Sequence, residues 1–443
     1  MPTLEGFPYF EVEFNKKGQV FDSDQVKALT DFLSQGEVSD LFVISHGWNN
    51  DMDDARNLYK RFFACMRQVL DSGGVAGVSA RKFAIMAVLW PSAKFADKEL
   101  IASGAASTGS PITNDLLREE LEDMKAVFNT PKARAALDKA KLLVPKLEDS
   151  KKARTDFADL LRSILPKKAS PDVDAASDFS KLPGDEIIQR LSKPAPAILS
   201  KPATGGSATM VGGATTTSGG GAAGIGQFFS GIKWGVYHLL NLTTYYQMKE
   251  RAGLVGSTGV NQVLTSIRTQ NPNLKLHLIG HSFGGRLVTA AAAGSEDQHP
   301  VQVDTLTLLQ AAFSHYGFSE HYEGTKDGFF RKVVTGKNVS GPTLITCTPN
   351  DTAVGNLYPL ASLIAGQVAS GIGDKNDMYG GIGRNGAQKT PEASDGKLLS
   401  VGSPYQFQPG KLHNLNSDAI IKGHSDICHN EVAYAILNAV SAT

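Results

Sequence analysis

One twelve-residue stretch, Leu274–Gly285 (LKLHLIGHSFGG), constrains this chain more than any other. An apolar run of strand length ends at Gly280, and a helix of small residues, Gly284–Gly294, follows almost at once. A strand that turns this sharply into a helix belongs to an α/β arrangement. The turn itself reads Gly280-His281-Ser282-Phe283-Gly284, a G-x-S-x-G pattern. A serine at such a turn has a strained backbone and an exposed hydroxyl, and flanking glycines let the chain bend without Cβ collisions. The helix start behind it supplies free N–H groups and a positive dipole end. Five-residue matches are common by chance. The strand before and the helix after make this one specific, and Ser282 is read as a nucleophile.

The rest of the chain repeats the rhythm and then breaks it. Tyr9–Phe14 alternates as a strand, and Ser23–Leu33 is helical with Ser23 as its expected N-cap. Leu41–Ser45 (LFVIS) and Phe83–Trp90 read as strands buried on both faces, joined by a helix over Asp51–Leu70. From Ala96 to Gly226 the alternation stops. This insertion holds charged helices within Asn114–Leu165, interrupted at Pro131, Pro145 and Pro166, and ends in a Gly/Ser/Thr-rich run, Thr204–Gly226, expected to be disordered. Strands then resume at Leu274–Gly280, Val303–Leu309 and Pro342–Thr348, with helices over Gly259–Thr269 and Ile427–Val440. The layout predicts one α/β domain from residues 1–95 and 227–443, a mostly parallel sheet flanked by helices, carrying a largely helical insertion over 96–226. Phe228–Tyr246 is an apolar helix with two readings. It packs in the core and anchors the insertion, or it caps the site, with Phe229 and Leu239 against substrate.

Composition narrows the function. Lys and Arg number 44 and Asp and Glu number 44, with a pI near 7.2, so no global field exists to grip nucleic acid. Three cysteines (Cys65, Cys347, Cys428) are too few for a disulfide framework. Met1–Phe14 carries three glutamates where a secretory signal would be basic and then apolar, so a cytoplasmic protein, or one exported by a signal-less route, is expected. No stretch reaches the ~20 apolar residues of a spanning helix. A G-x-G-x-x-G match at Gly381, Gly383 and Gly386 neither follows a strand nor opens a helix, and the histidines lack metal-ligand spacing. No cofactor or metal is expected.

The GHSFGG segment resembles the nucleophile elbow of lipases and esterases, and SHGWNN (Ser45–Asn50) resembles the end of their oxyanion strand. Over Tyr9–Trp90 and Arg251–Val440 the chain is similar to bacterial serine esterases of the α/β-hydrolase superfamily. The resemblance implies the α/β-hydrolase fold and a chain order of nucleophile, acid, histidine. Asp351, just past Thr343–Thr348 in LITCTPND, is then the expected acid. Asp304 starts a strand at the opposite edge, and Asp374 and Asp377 lie in a glycine-rich loop. His424, before the last helix, is the expected base, with His413 and His429 as alternatives. The oxyanion donors are expected to be the backbone N–H of Phe283 and one from Trp48 or Gly47, while His46 shapes that loop. His281 is assigned to substrate binding, and His315 and His321 could line the pocket. The implied reaction is hydrolysis of small-molecule or lipid esters through an acyl-enzyme. The same residues would serve an amidase, a peptidase or an acyltransferase. A non-catalytic scaffold that binds partners is the rival of a different class.

Overall fold

Nine strands form a single sheet in the order β1-β2-β4-β3-β5-β6-β7-β9-β8, and every neighbouring pair is parallel except β1 with β2. This computed structural model describes residues 2–48, 50–92, 112–166, 179, 181–193, 231–297, 299–351, 364 and 375–443. The first half runs β1 (Thr3–Leu4), β2 (Phe7–Glu13), α1 (Ser23–Leu33), β3 (Asp40–Ser45), α2 (Met52–Asp71) and β4 (Phe83–Leu89). Among the described residues five α-helices follow: α3 (Asn114–Val127), α4 (Pro131–Leu143), α5 (Lys151–Arg162), α6 (Gly184–Leu191) and α7 (Ile232–Leu254). A π-helical segment, Val255–Val260, joins α7 to α8 (Asn261–Gln270). The chain then gives β5 (Lys275–His281), α9 (Phe283–Ala293), β6 (Thr305–Leu309), β7 (Thr343–Cys347), β8 (Ala393–Lys397), β9 (Leu412–Asn416) and α10 (Asn430–Ser441).

The order places a switch point at the centre. From β3 the chain passes through α2 to β4 on one side, and from β5 it passes through α9 to β6 on the other. The carboxyl ends of β3 and β5 therefore open a crevice, the position where open α/β sheets bind ligands. Burial on both faces accounts for the apolar runs in these strands, since β3, β4, β6 and β7 have no exposed position. On one face Val43, Met86, Leu278 and Leu306 pack with Val263 of α8 and Leu287 of α9. On the other, Phe42, Ile44, Ile85 and Ile279 pack with Phe62 of α2 and Ile436 of α10.

Local signals explain most helix boundaries. Asp51 caps α2 in a reciprocal capping box with Asp54, and Pro131 occupies the first turn of α4. The expected cap Ser23 is instead the first residue of α1, and Asp22 accepts the Asp24 N–H in its place. Besides the two-residue β1, two strands were not expected at all. ASDGK and LHNLN carry none of the apolar run that marks β3 or β5, because β8 is the exposed edge of the sheet and β9 lies beside it. His413, expected in a loop, sits on β9.

The described part of the insertion is helical and shares the sheet's core. Leu117, Leu121, Leu137, Phe157, Leu161 and Ile188 bury their side chains in one cluster with Val236 and Leu239 of α7 and with Val12 and Met86 of the sheet. Leu239 is fully buried there, the setting of a packing residue. Phe229 and Thr204–Gly226 lie outside the described residues. Among the described residues no helix is long and apolar enough to cross a membrane. Leu239→Ala should lower the unfolding free energy by about 2–5 kcal/mol, the usual range for a large apolar core residue cut to alanine. Chemical denaturation measures this, and an unchanged midpoint would show that the site tolerates loss of the side chain.

Candidate active site

Ser282 stands between β5 and α9 with φ 56° and ψ −125°, a backbone state that costs a non-glycine residue of order 1–3 kcal/mol. Its surroundings hold it there. The Ser282 N–H donates to the Leu309 carbonyl, and its own carbonyl accepts from Ala312 and Gly285, each at 3.0 Å. Close approach also depends on two glycines. A Cβ on Gly284 would strike the carbonyl oxygens of Ser45 and His46, so the first turn of α9 can lie against the end of β3 only without a side chain. A Cβ on Gly47 would sit 2.5 Å from Ser282 Cβ and 3.1 Å from its Oγ. Phe283 opens α9, so the helix itself offers no carbonyl to its N–H.

Three side chains from three strand ends meet here. His424 Nε2 is 2.8 Å from Ser282 Oγ, and His424 Nδ1 is 2.9 Å from Asp351 Oδ2. A carboxylate only accepts, so Nδ1–H donates to Asp351, and Nε2 is left to accept the Ser282 hydroxyl. Ser282 is 5% exposed, the His424 side chain 11% and the Asp351 side chain 0%, so the chain of hydrogen bonds is largely shielded from solvent. Asp351 follows β7 and His424 lies in the loop between β9 and α10, both at the carboxyl edge. The structure thus brings together the three residues singled out by sequence. It does not bring the alternatives. His413 bonds Ser394 Oγ and the Gln408 N–H, and His429 immediately precedes α10, its side chain paired with Asp426 at 2.8 Å. Asp304 sits at the amino edge with Arg268 and Lys275, and Asp374 lies outside the described residues. His321 is on the surface beside Asp327, while His315 is fully buried against Asn385.

The loop after β3 is built around His46. Its Nδ1 bonds the Gly47 carbonyl at 2.9 Å, its Nε2 accepts the Trp90 N–H at 3.3 Å, and its ring stacks on Trp90. Tyr59 from α2 accepts the His46 N–H and donates to the Val88 carbonyl, tying the loop to β4. Trp48 packs its ring against Phe283, 6.0 Å between centroids. His281, expected to touch substrate, instead donates from Nε2 to the His424 carbonyl at 2.8 Å.

Sequence reasoning missed the supports of Asp351 and His424. The Asn350 amide donates to the carbonyls of Asp418 and Ile421, which pins the loop carrying Asp351 to the segment carrying His424. Arg384 donates to the Pro349 carbonyl at 2.6 Å. Burial lowers the pKa of its guanidinium, and the charges of Asp351 and Asp418 oppose that shift. The adjacency of Asn350 to Asp351 was the one available signal. Among protein-family models, curated proteins and solved structures, none matches the chain. Function is therefore read from the site.

Burial pushes the His46 imidazolium pKa down to about 4, against a hydrogen bond to Gly47 that favours the charged form. A histidine kept neutral in the fold gives stability that is full above the unfolded value near 6.5 and is lost as pH falls toward 4. Unfolding free energy should drop across that window, by at most about 1.4 kcal/mol per pH unit for one such histidine. His46→Gln should flatten the profile by one proton's worth. Denaturation curves at pH 7 and pH 5 test this, and an equal slope in both proteins would refute it.

Proposed function

We propose that this chain is a serine hydrolase of the α/β-hydrolase type that cleaves carboxylic esters through an acyl-enzyme. The carrying observation is the continuous hydrogen-bond chain from Ser282 through His424 to Asp351 at the carboxyl edge of the sheet. Three further features support it. The serine is on a strained strand-to-helix turn, the chain order is serine, aspartate, histidine, and a loop from β3 lies against the serine. On this reading His424 Nε2 takes the hydroxyl proton as Ser282 Oγ bonds the acyl carbon. The Phe283 N–H and a donor from Gly47 or Trp48 hold the resulting oxyanion, at about 2.7–4 kcal/mol per donor. The tetrahedral centre collapses, the C–O bond breaks, and the leaving alcohol takes the proton from Nε2. Water repeats the sequence in reverse and frees the serine. Asp351 holds the tautomer and offsets the imidazolium charge throughout.

Ser282→Ala should abolish labelling by a fluorophosphonate probe and cut kcat on p-nitrophenyl esters by on the order of 10⁴ or more. His424→Ala should lose about as much, and the double variant little more, because the residues act as a unit. His413→Ala and His429→Ala should keep most activity. Turnover by a folded Ser282→Ala protein would overturn the reading. Absence of both labelling and hydrolysis in the folded wild type would favour a binding scaffold.

A further inference from the structure

His424 lies on a segment without helix or strand, between β9 and α10. A group of this kind has to be held within about 0.5 Å and 10–20° of its working geometry, which a free loop does not provide. The Nδ1 bond to Asp351 fixes one end of the ring. The backbone needs its own anchor, and β5 provides it. The Nε2 of His281 is 2.8 Å from the His424 carbonyl, and the two rings lie 4.9 Å apart at 43°. A carbonyl only accepts, so Nε2 of His281 carries the proton. Its Nδ1 is then a buried lone pair, and it has no hydrogen-bond partner among the described residues. A leucine of similar volume would fill the space with no unmatched nitrogen of its own, at the loss of the donor to the His424 carbonyl. The imidazole is therefore costly as packing and is accounted for by the bond it donates.

We propose that His281 is a positioning residue: its ring N–H holds the backbone of His424 and thereby sets the imidazole that faces Ser282. The inference rests on the hydrolase reading for its kinetic consequence, but not for its geometry. His281 ends β5 and Ser282 follows it directly, so one rigid strand end presents the hydroxyl and fixes the base that meets it. Burial, reinforced by the neighbouring His424, pushes the His281 pKa down to about 3, so it stays a neutral donor near neutral pH.

The test uses the full chain with His281→Leu, which keeps volume and removes the donor, and His281→Gln, whose amide nitrogen reaches a similar position. The first readout is the low-field proton NMR signal of the His424 Nδ1–H, assigned by its absence in His424→Ala. The leucine variant should lose or broaden this signal, and the glutamine variant should retain it. The second is kinetics on a p-nitrophenyl ester. The leucine variant should show kcat lowered on the order of 10- to 100-fold with KM unchanged, the scale of a small misplacement, and glutamine should restore most of it. A wild-type signal and kcat in His281→Leu would overturn the inference, as would a rise in KM alone in both variants, which marks a pocket wall. If the leucine variant fails to fold, the glutamine variant decides: a folded protein without the signal refutes the role. A wild type that shows the signal but no turnover refutes the hydrolase reading and leaves the positioning role to stand on the signal.

Discussion

The arrangement at the carboxyl edge depends on how closely the first turn of α9 approaches the end of β3. Gly284 packs against the Ser45 and His46 carbonyls, and Gly47 packs against Ser282, so two backbones meet with no side chain between them. That contact, with the bonds from Ser282 to Leu309 and Ala312, forces the serine into its positive-φ state and aims Oγ at His424. A helix set further out would relax the backbone and lose the 2.8 Å contact. The elbow is strained because the sheet on both sides of it is not free to give.

A second chain of hydrogen bonds at the other end of the same strands shows what the first has that matters. His277 Nε2 is 2.8 Å from Asp40 Oδ1 and its Nδ1 is 2.9 Å from Thr305 Oγ1, a hydroxyl, imidazole and carboxylate in a row. Arg81 adds a salt bridge to Asp40. All three residues are essentially closed to solvent and sit at the amino ends of β3, β5 and β6, where they join neighbouring strands. Thr305 lies within β6, whereas Ser282 lies between a strand and a helix. Chemistry-bearing residue types in the right order thus make a structural clamp at one edge of the sheet, whereas at the carboxyl edge the hydroxyl sits on a positive-φ turn beside a partly exposed imidazole.

The sequence was most legible where burial imposed a pattern. LFVIS, LKLHLIGH and TLITC are apolar because helices cover them on both sides, and their places in chain order led to Asp351 and His424. It was least legible where strands lack an apolar run. ASDGK and LHNLN hydrogen-bond as strands but carry no apolar period, so His413 was misplaced and the edge of the sheet went unseen. Side chains that act on distant backbone were also hidden. Nothing near Asn350 or Tyr59 in sequence announces a partner many residues away. His281 was singled out as a neighbour of the serine, but its direction follows from the twist of a strand end.

The pairing of β3 with β5 also sets when the site can exist during synthesis. Asp40 pairs with Lys275, so more than half the chain must be made before the two central strands can meet. Closing so long a loop is less costly than its length suggests, since each doubling adds only about 0.6 kcal/mol. Parallel pairing between distant segments is nevertheless slow, and it leaves strand edges open while it waits. Asp351 emerges later still, and His424 later again, after β9. A ribosome-bound chain halted before β9 could already bend Ser282 into its positive-φ turn, yet it would have no imidazole to meet the hydroxyl.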